Sequence, residues 1–194
     1  LCTEMVKAVL QASGLDYVIK LRNWDYGYNR ALNKKNHGIF CTTYTESRAP
    51  QFKWVGPLAN NLWTIFAPAG TNLQIDDLED TRGLLYAGYR GDVMTEYLLE
   101  RGYKVSEMES DDLNPKRLEL GQVDLWIADQ LAGPYFASQQ DVEGLVPVYS
   151  FNKTELYLAM NMETPDEVIQ KLNQGLETIK NNGIYEAIET KYGL

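Results

Sequence analysis

The chain has 194 residues, of which 44% are apolar and 23% charged, enough to bury a core and too apolar for wholesale disorder. Eighteen basic against 27 acidic residues give a net charge of −9, which repels phosphate backbones and anionic lipid, so neither nucleic acid nor a membrane surface is expected as a partner. The single His37 and the pair Cys2 and Cys41 do not make a common four-ligand zinc site, and no apolar run approaches the roughly 18 residues of a membrane span.

Thr3 is expected to cap a first helix, in which Met5, Val6, Val9 and Leu10 share a stripe and Gly14 provides the stop. Asp16–Leu21 then reads as a strand with Tyr17, Ile19 and Leu21 on one face. A short helix over Tyr28–Lys35 and a strand over Gly38–Thr43 follow. Gln51–Val55 and Leu62–Pro68 are further extended segments, separated by the turn signals Gly56-Pro57 and Asn60-Asn61.

A second block repeats this grammar. Leu84–Ala87 is a strand, Asp92 caps a helix that ends at Gly102, and Lys104–Met108 is a strand. Asn114 and Pro115 read as the N-cap and first position of a helix reaching Leu120. Val123–Ala128 is a buried strand, Leu131–Ser138 is helical, and Leu145–Tyr149 and Glu155–Met160 are extended. Thr164-Pro165-Asp166-Glu167 has the form of a capping box, opening a helix with Val168, Ile169, Leu172 and Leu176 on one stripe and Gly183 at its end. A last helix covers Ile184–Tyr192.

Strands alternating with helices imply parallel sheets covered by helices, an α/β architecture. Two such blocks imply two lobes joined by two crossings, near residues 62–68 and 150–160. The expected division is 1–66 with 153–194 for one lobe and 67–152 for the other. Ligands of open α/β sheets bind in the cleft at the carboxyl ends of the strands. The cysteines, 39 positions apart and not in a CxxC pair, fit either one disulfide or two thiols.

Several motifs stand in a telling order: Cys41-Thr-Thr-Tyr-Thr-Glu-Ser-Arg48 with Phe52-Lys-Trp-Val-Gly-Pro57, Gly83–Gly91 opening a helix, Gly121-Gln-Val-Asp-Leu-Trp-Ile-Ala-Asp129, and the run Thr164–Tyr192. In this set the chain resembles the family 3 extracellular solute-binding proteins of amino-acid ABC transporters. The resemblance spans nearly the whole chain. It implies the two-lobed periplasmic-binding-protein type II fold, with two mixed sheets flanked by helices and joined by two hinge crossings. It departs at the start, where the family's first strand has no counterpart ahead of Thr3, and at Cys41, where the family often has Gly.

The resemblance places a carboxylate-binding arginine at Arg48, with Thr43 at a ligand-facing threonine. A guanidinium forks onto a carboxylate through two parallel hydrogen bonds, which Lys does not copy. The plainer alternatives are an exposed Arg after a turn, or one paired with Glu46. Arg90-Gly91-Asp92 stands at the family's small-residue turn before a helix, where the Gly91 and Asp92 amides are expected to donate to a carboxylate. Arg90 either adds a second positive group or points to solvent. Asp129 matches the family's ammonium-binding carboxylate, the alternative being a cap on the helix that follows. Trp24, Tyr26, Tyr28 and Trp54 form an aromatic stretch, from which Trp24 or Tyr26 is expected to pack on the ligand unless they are core.

The function implied is extracytoplasmic capture of a small polar solute, an amino acid or related carboxylate, for ABC-type uptake. It needs no cofactor and no metal, and its partners are the small-molecule ligand and an ABC permease or a membrane sensor. The family further implies a monomer, a periplasmic location, and a signal peptide in the precursor. The same domain also serves as a sensor module in signalling proteins. An enzyme on this scaffold would use a cleft carboxylate, with Glu46, Asp92 and Asp129 as candidates, but no carboxylate pair at catalytic spacing stands out. The chain is therefore read as a receptor rather than an enzyme.

Overall fold

The computed structural model describes residues 1–193. The chain forms seven α-helices and six strands among these residues: α1 (Cys2–Ser13), α2 (Trp24–Asn33), β1 (Gly38–Thr43), β2 (Phe52–Ala67), β3 (Leu85–Tyr89), α3 (Val93–Glu100), β4 (Lys104–Met108), α4 (Asn114–Glu119), β5 (Leu125–Asp129), α5 (Ala132–Gln139), β6 (Val146–Asn161), α6 (Asp166–Asn181) and α7 (Ile184–Lys191). Strand hydrogen bonding follows the order β1-β6-β2-β5-β3-β4. Two compact units result, residues 1–60 with the chain from Thr154 onward, and Asn61–Lys153; β2 and β6 each run through both.

The first unit is held together by helix packing on strands. Met5, Val6 and Val9 recur at helical spacing on α1 and are at most 1% exposed. They meet Leu172, Leu176 and Ile179 of α6 and Val55, Leu58 and Leu158 of the strands in one apolar cluster. Each such side chain contributes roughly 1.5–3 kcal/mol when fully buried. Gly14 ends α1 at φ 66°, its N–H donating to the Gln11 carbonyl. Strands β1 and β6 pair antiparallel, with Thr43 opposite Leu156.

The second unit shows the period of two directly. Trp63, Ile65, Ala67, Leu125 and Ile127 enter one cluster, beneath Met94 and Leu98 of α3. The alternate residues Phe66, Trp126 and Ala128 enter another, with Leu118 of α4. A strand buried on both faces reads as a continuous apolar run, as Leu125–Ala128 does. Helical crossovers make β3 parallel to β4 and β5, while β2 joins β5 antiparallel.

Several expectations are corrected. Asp16–Leu21 forms no strand: Val18 and Leu21 are 80% and 92% exposed, and no neighbouring strand supplies backbone partners among the described residues. The two pairs of short extended segments are two long strands, β2 and β6. Gly56 makes no turn; it makes room, since a Cβ there would lie 2.4 Å from the Tyr157 ring. Helix α2 begins at Trp24, not Tyr28, because Asn23 accepts from the Tyr26 N–H. Leu1 rather than Thr3 precedes α1, and Asn114 lies inside α4 after a 3₁₀ turn over Asp111–Leu113. The capping box does not form. Thr164 is fully buried with its hydroxyl lacking a hydrogen-bond partner, and Lys53 instead grips the Thr164 carbonyl at 2.8 Å and the Asp166 carboxylate. Cys2 and Cys41 are thiols, the second of the two alternatives.

Candidate functional site

In the first unit, β1 delivers the chain into a tight turn carrying Arg48. The Arg48 N–H donates to the Thr45 carbonyl at 3.1 Å and to Thr45 Oγ1 at 3.2 Å, and Thr45 Oγ1 lies 3.0 Å from Ser47 Oγ. A 3₁₀ turn over Ala49–Gln51 follows, fixed by the Trp54 indole N–H on the Ala49 carbonyl at 3.1 Å. Arg48 is 6% exposed, which removes the reading of a solvent-exposed arginine. Its Cζ lies 5.5 Å from the Trp24 ring centroid. Thr43 is 4% exposed at the end of β1. Just before it, Cys41 adopts φ 57°, at an irregularity in the β1–β6 register between Ile39 and Thr42.

Helix geometry separates the two expected aromatics. Residues two apart on a helix point about 200° away from each other, so Trp24 and Tyr26 occupy opposite faces. Trp24 reaches Arg48; Tyr26 is 50% exposed and lies beneath Arg30, whose Cζ is 5.8 Å from its ring.

In the second unit, the turn Arg90-Gly91-Asp92 joins β3 to α3, with Gly91 at φ 74°, a conformation that suits glycine. Asp92, 6% exposed, caps α3: its Oδ2 accepts from the Met94 and Thr95 N–H groups at 3.1 Å each. Its own N–H donates to the Tyr89 carbonyl at 3.3 Å. The Asp92 amide expected to receive a ligand thus serves the turn, and a carboxylate of the chain already sits at the positive end of the helix. Arg90 is exposed, with Nη1 3.4 Å from Glu109 Oε1, the solvent-facing alternative.

Asp129 ends β5 opposite Trp63. Its Oδ1 accepts from the Leu131 N–H at 2.9 Å and the Ala132 N–H at 2.8 Å, which ties the carboxylate to the backbone opening α5. Burial pushes its carboxyl above the ordinary range, and the backbone N–H groups pull it back. A carboxylate fixed by backbone bonds on one oxygen is a rigid acceptor.

Three side chains were given no particular role by the sequence reading. Tyr28 lies one helical turn beyond Trp24, a spacing that marks both for one face. Tyr157 packs on Tyr44 and Trp54 and donates to Glu155 at 2.7 Å; burial and that carboxylate push its hydroxyl up to about 12. Asp111 accepts at Oδ1 from Asn114 Nδ2 and Trp126 Nε1, both at 2.8 Å, and burial raises its carboxyl to about 7. Nothing local in Asp-Asp-Leu-Asn-Pro announces that burial. Among the described residues, no three His, Cys, Asp or Glu side chains are grouped to hold a metal, and no helix is long and apolar enough to cross a membrane.

No family model matches the chain. It is 24% identical over 195 aligned positions to a protein of Neisseria gonorrhoeae named as a probable histidine-binding protein, covering 97% of this chain and 72% of that one. Among solved structures it is similar to a histidine kinase sensor domain described as resembling periplasmic binding proteins, with a TM-score of 0.87 at 25% identity, covering 98% of this chain and 84% of that one. It is also similar to ArtJ of Geobacillus stearothermophilus, an arginine-, lysine-, histidine-binding protein, with a TM-score of 0.85 at 20% identity and coverages of 98% and 84%. The chain therefore has the periplasmic-binding-protein type II fold, and its relatives are binding proteins, as the resemblance implied.

Proposed function

We propose that the chain is an extracytoplasmic receptor for an amino acid or a closely related carboxylate, serving an ABC-type importer. Arg48 takes the ligand's carboxylate, Thr43 adds a hydroxyl, Trp24 packs on its side chain, and Asp129 takes its ammonium. The observation that supports this most is Arg48 itself: a guanidinium at 6% exposure, with a Trp ring beside it, at the end of a Thr-lined strand. The planar fork of a guanidinium suits bidentate capture of a carboxylate. Capture needs no bond-breaking chemistry, and the relatives are binding proteins, so the chain is read as a non-enzyme. Ligand binding shifts the protein toward the form that the membrane partner engages.

The likeness to a sensor domain supports a second reading, the same capture coupled to signalling. Both readings share the first test. A thermal-shift screen against the twenty amino acids and small organic acids should raise the melting temperature with one or a few, because a ligand that binds only the folded state stabilises it. No shift with any of them at millimolar concentration would overturn the reading.

A further inference from the structure

This inference rests on the assignment of Arg48 to the ligand's carboxylate and concerns what aims its guanidinium. Arg is a long side chain, and its planar fork serves a carboxylate in only one orientation. Trp24 and Tyr28 stand four residues apart on α2, their ring centroids 5.8 Å apart and tilted by 35°. Arg48 Cζ lies 5.5 Å from both centroids, so two rings from successive helical turns face one guanidinium side by side. Each ring face attracts the cation, and more strongly in a dry setting.

Tyr28 is itself indexed to the turn that carries Arg48. Its hydroxyl donates to Gln51 Oε1 at 3.0 Å, and Gln51 Nε2 donates to the Ser47 carbonyl at 2.8 Å. The Gln51 N–H also donates to the Arg48 carbonyl at 2.9 Å. Phe52 closes on the Tyr28 ring edge-on, at 5.2 Å and 79°. One glutamine thus ties the ring to the peptides on both sides of Arg48.

We propose that Tyr28 is a positioning residue: with Trp24 it forms a two-ring clamp along one side of the Arg48 guanidinium that holds the orientation receiving a carboxylate, and Gln51 keeps ring and guanidinium in register. A tyrosine that merely packed on Phe52 would contribute stability without bearing on how Arg48 points.

Arginine-labelled protein tests this by NMR without any ligand. The Arg48 Nε–H resonance, identified by its loss in Arg48→Lys, should be displaced by the two ring currents and its guanidinium should rotate slowly. Tyr28→Leu should remove most of both effects, and Tyr28→Phe, which keeps the ring but loses the Gln51 bond, should keep part of them. Calorimetry with L-histidine and L-histidinamide adds the functional arm. Tyr28→Leu should weaken L-histidine roughly 3- to 30-fold and leave L-histidinamide within about twofold, with Tyr28→Phe intermediate. An Arg48 resonance unmoved in Tyr28→Leu, or equal losses for both probes, would overturn the clamp. If the unsubstituted protein failed to bind L-histidine, the amino-acid reading would be contradicted for that probe, and the Arg48 resonance would still decide the clamp.

Discussion

Asp111 illustrates how far a single residue's chemistry depends on what surrounds it. Its carboxyl is buried, and two N–H donors from Asn114 and Trp126 offset only part of the desolvation, while Asp92 and Asp112 add like charge. Its folded pKa of about 7 lies above the ordinary 3.8, so the folded state keeps a proton that the unfolded chain has released. The contribution to stability is present in full below the ordinary value and is lost as pH rises toward 7 and beyond. Asp129, also raised by burial, works in the same direction. Thermal unfolding should therefore show a melting temperature that falls between pH 5 and pH 8. Asp111→Asn, whose side-chain oxygen still accepts both donors, should flatten that fall and raise the melting temperature at pH 8. Parallel pH profiles for the two proteins would remove Asp111 as the cause.

At the scale of elements, the crossing of α1 and α6 carries the sharpest steric demand. A Cβ on Gly175 would lie 2.5 Å from the Val9 carbonyl oxygen and 3.0 Å from the Ser13 N–H nitrogen, both backbone atoms that do not swing aside. Gly175→Ala improves helix propensity, yet here the helices must part, and the expected net cost is about 1–3 kcal/mol by denaturant unfolding. A neutral or stabilising result would mean that α1 yields easily.

The same scale shows what was legible in the sequence. Gly38–Thr43 and Lys104–Met108 match their strands residue for residue, and the Gly14 stop and the Asp92 cap are realised, because those signals are local. Asp16–Leu21 has the alternation of a strand without a neighbour to pair with, and alternation alone forms no ladder. The Thr164 box lost to Lys53, a contact from residue 53 to residues 164 and 166 that no local rule anticipates. Arg48 and Trp24 were singled out by the family resemblance, and the structure sets the Arg48 guanidinium 5.5 Å from the Trp24 ring. The burial of Asp111 and the link from Tyr28 through Gln51 to Ser47 come from tertiary packing and leave no mark in a local window.

For the molecule as a whole, the proposal is that Arg48 takes the carboxylate of a captured amino acid and Asp129 its ammonium. The measurement that bears on this most directly is calorimetric titration of the amino acid selected by the thermal screen, alongside its carboxamide and its deaminated analogue. Arg48→Ala should cost the amino acid roughly 2–4 kcal/mol and the carboxamide far less; Asp129→Asn should cost it a similar amount and the deaminated analogue far less, with one ligand bound per chain. An unchanged affinity for the amino acid in either variant would contradict the account.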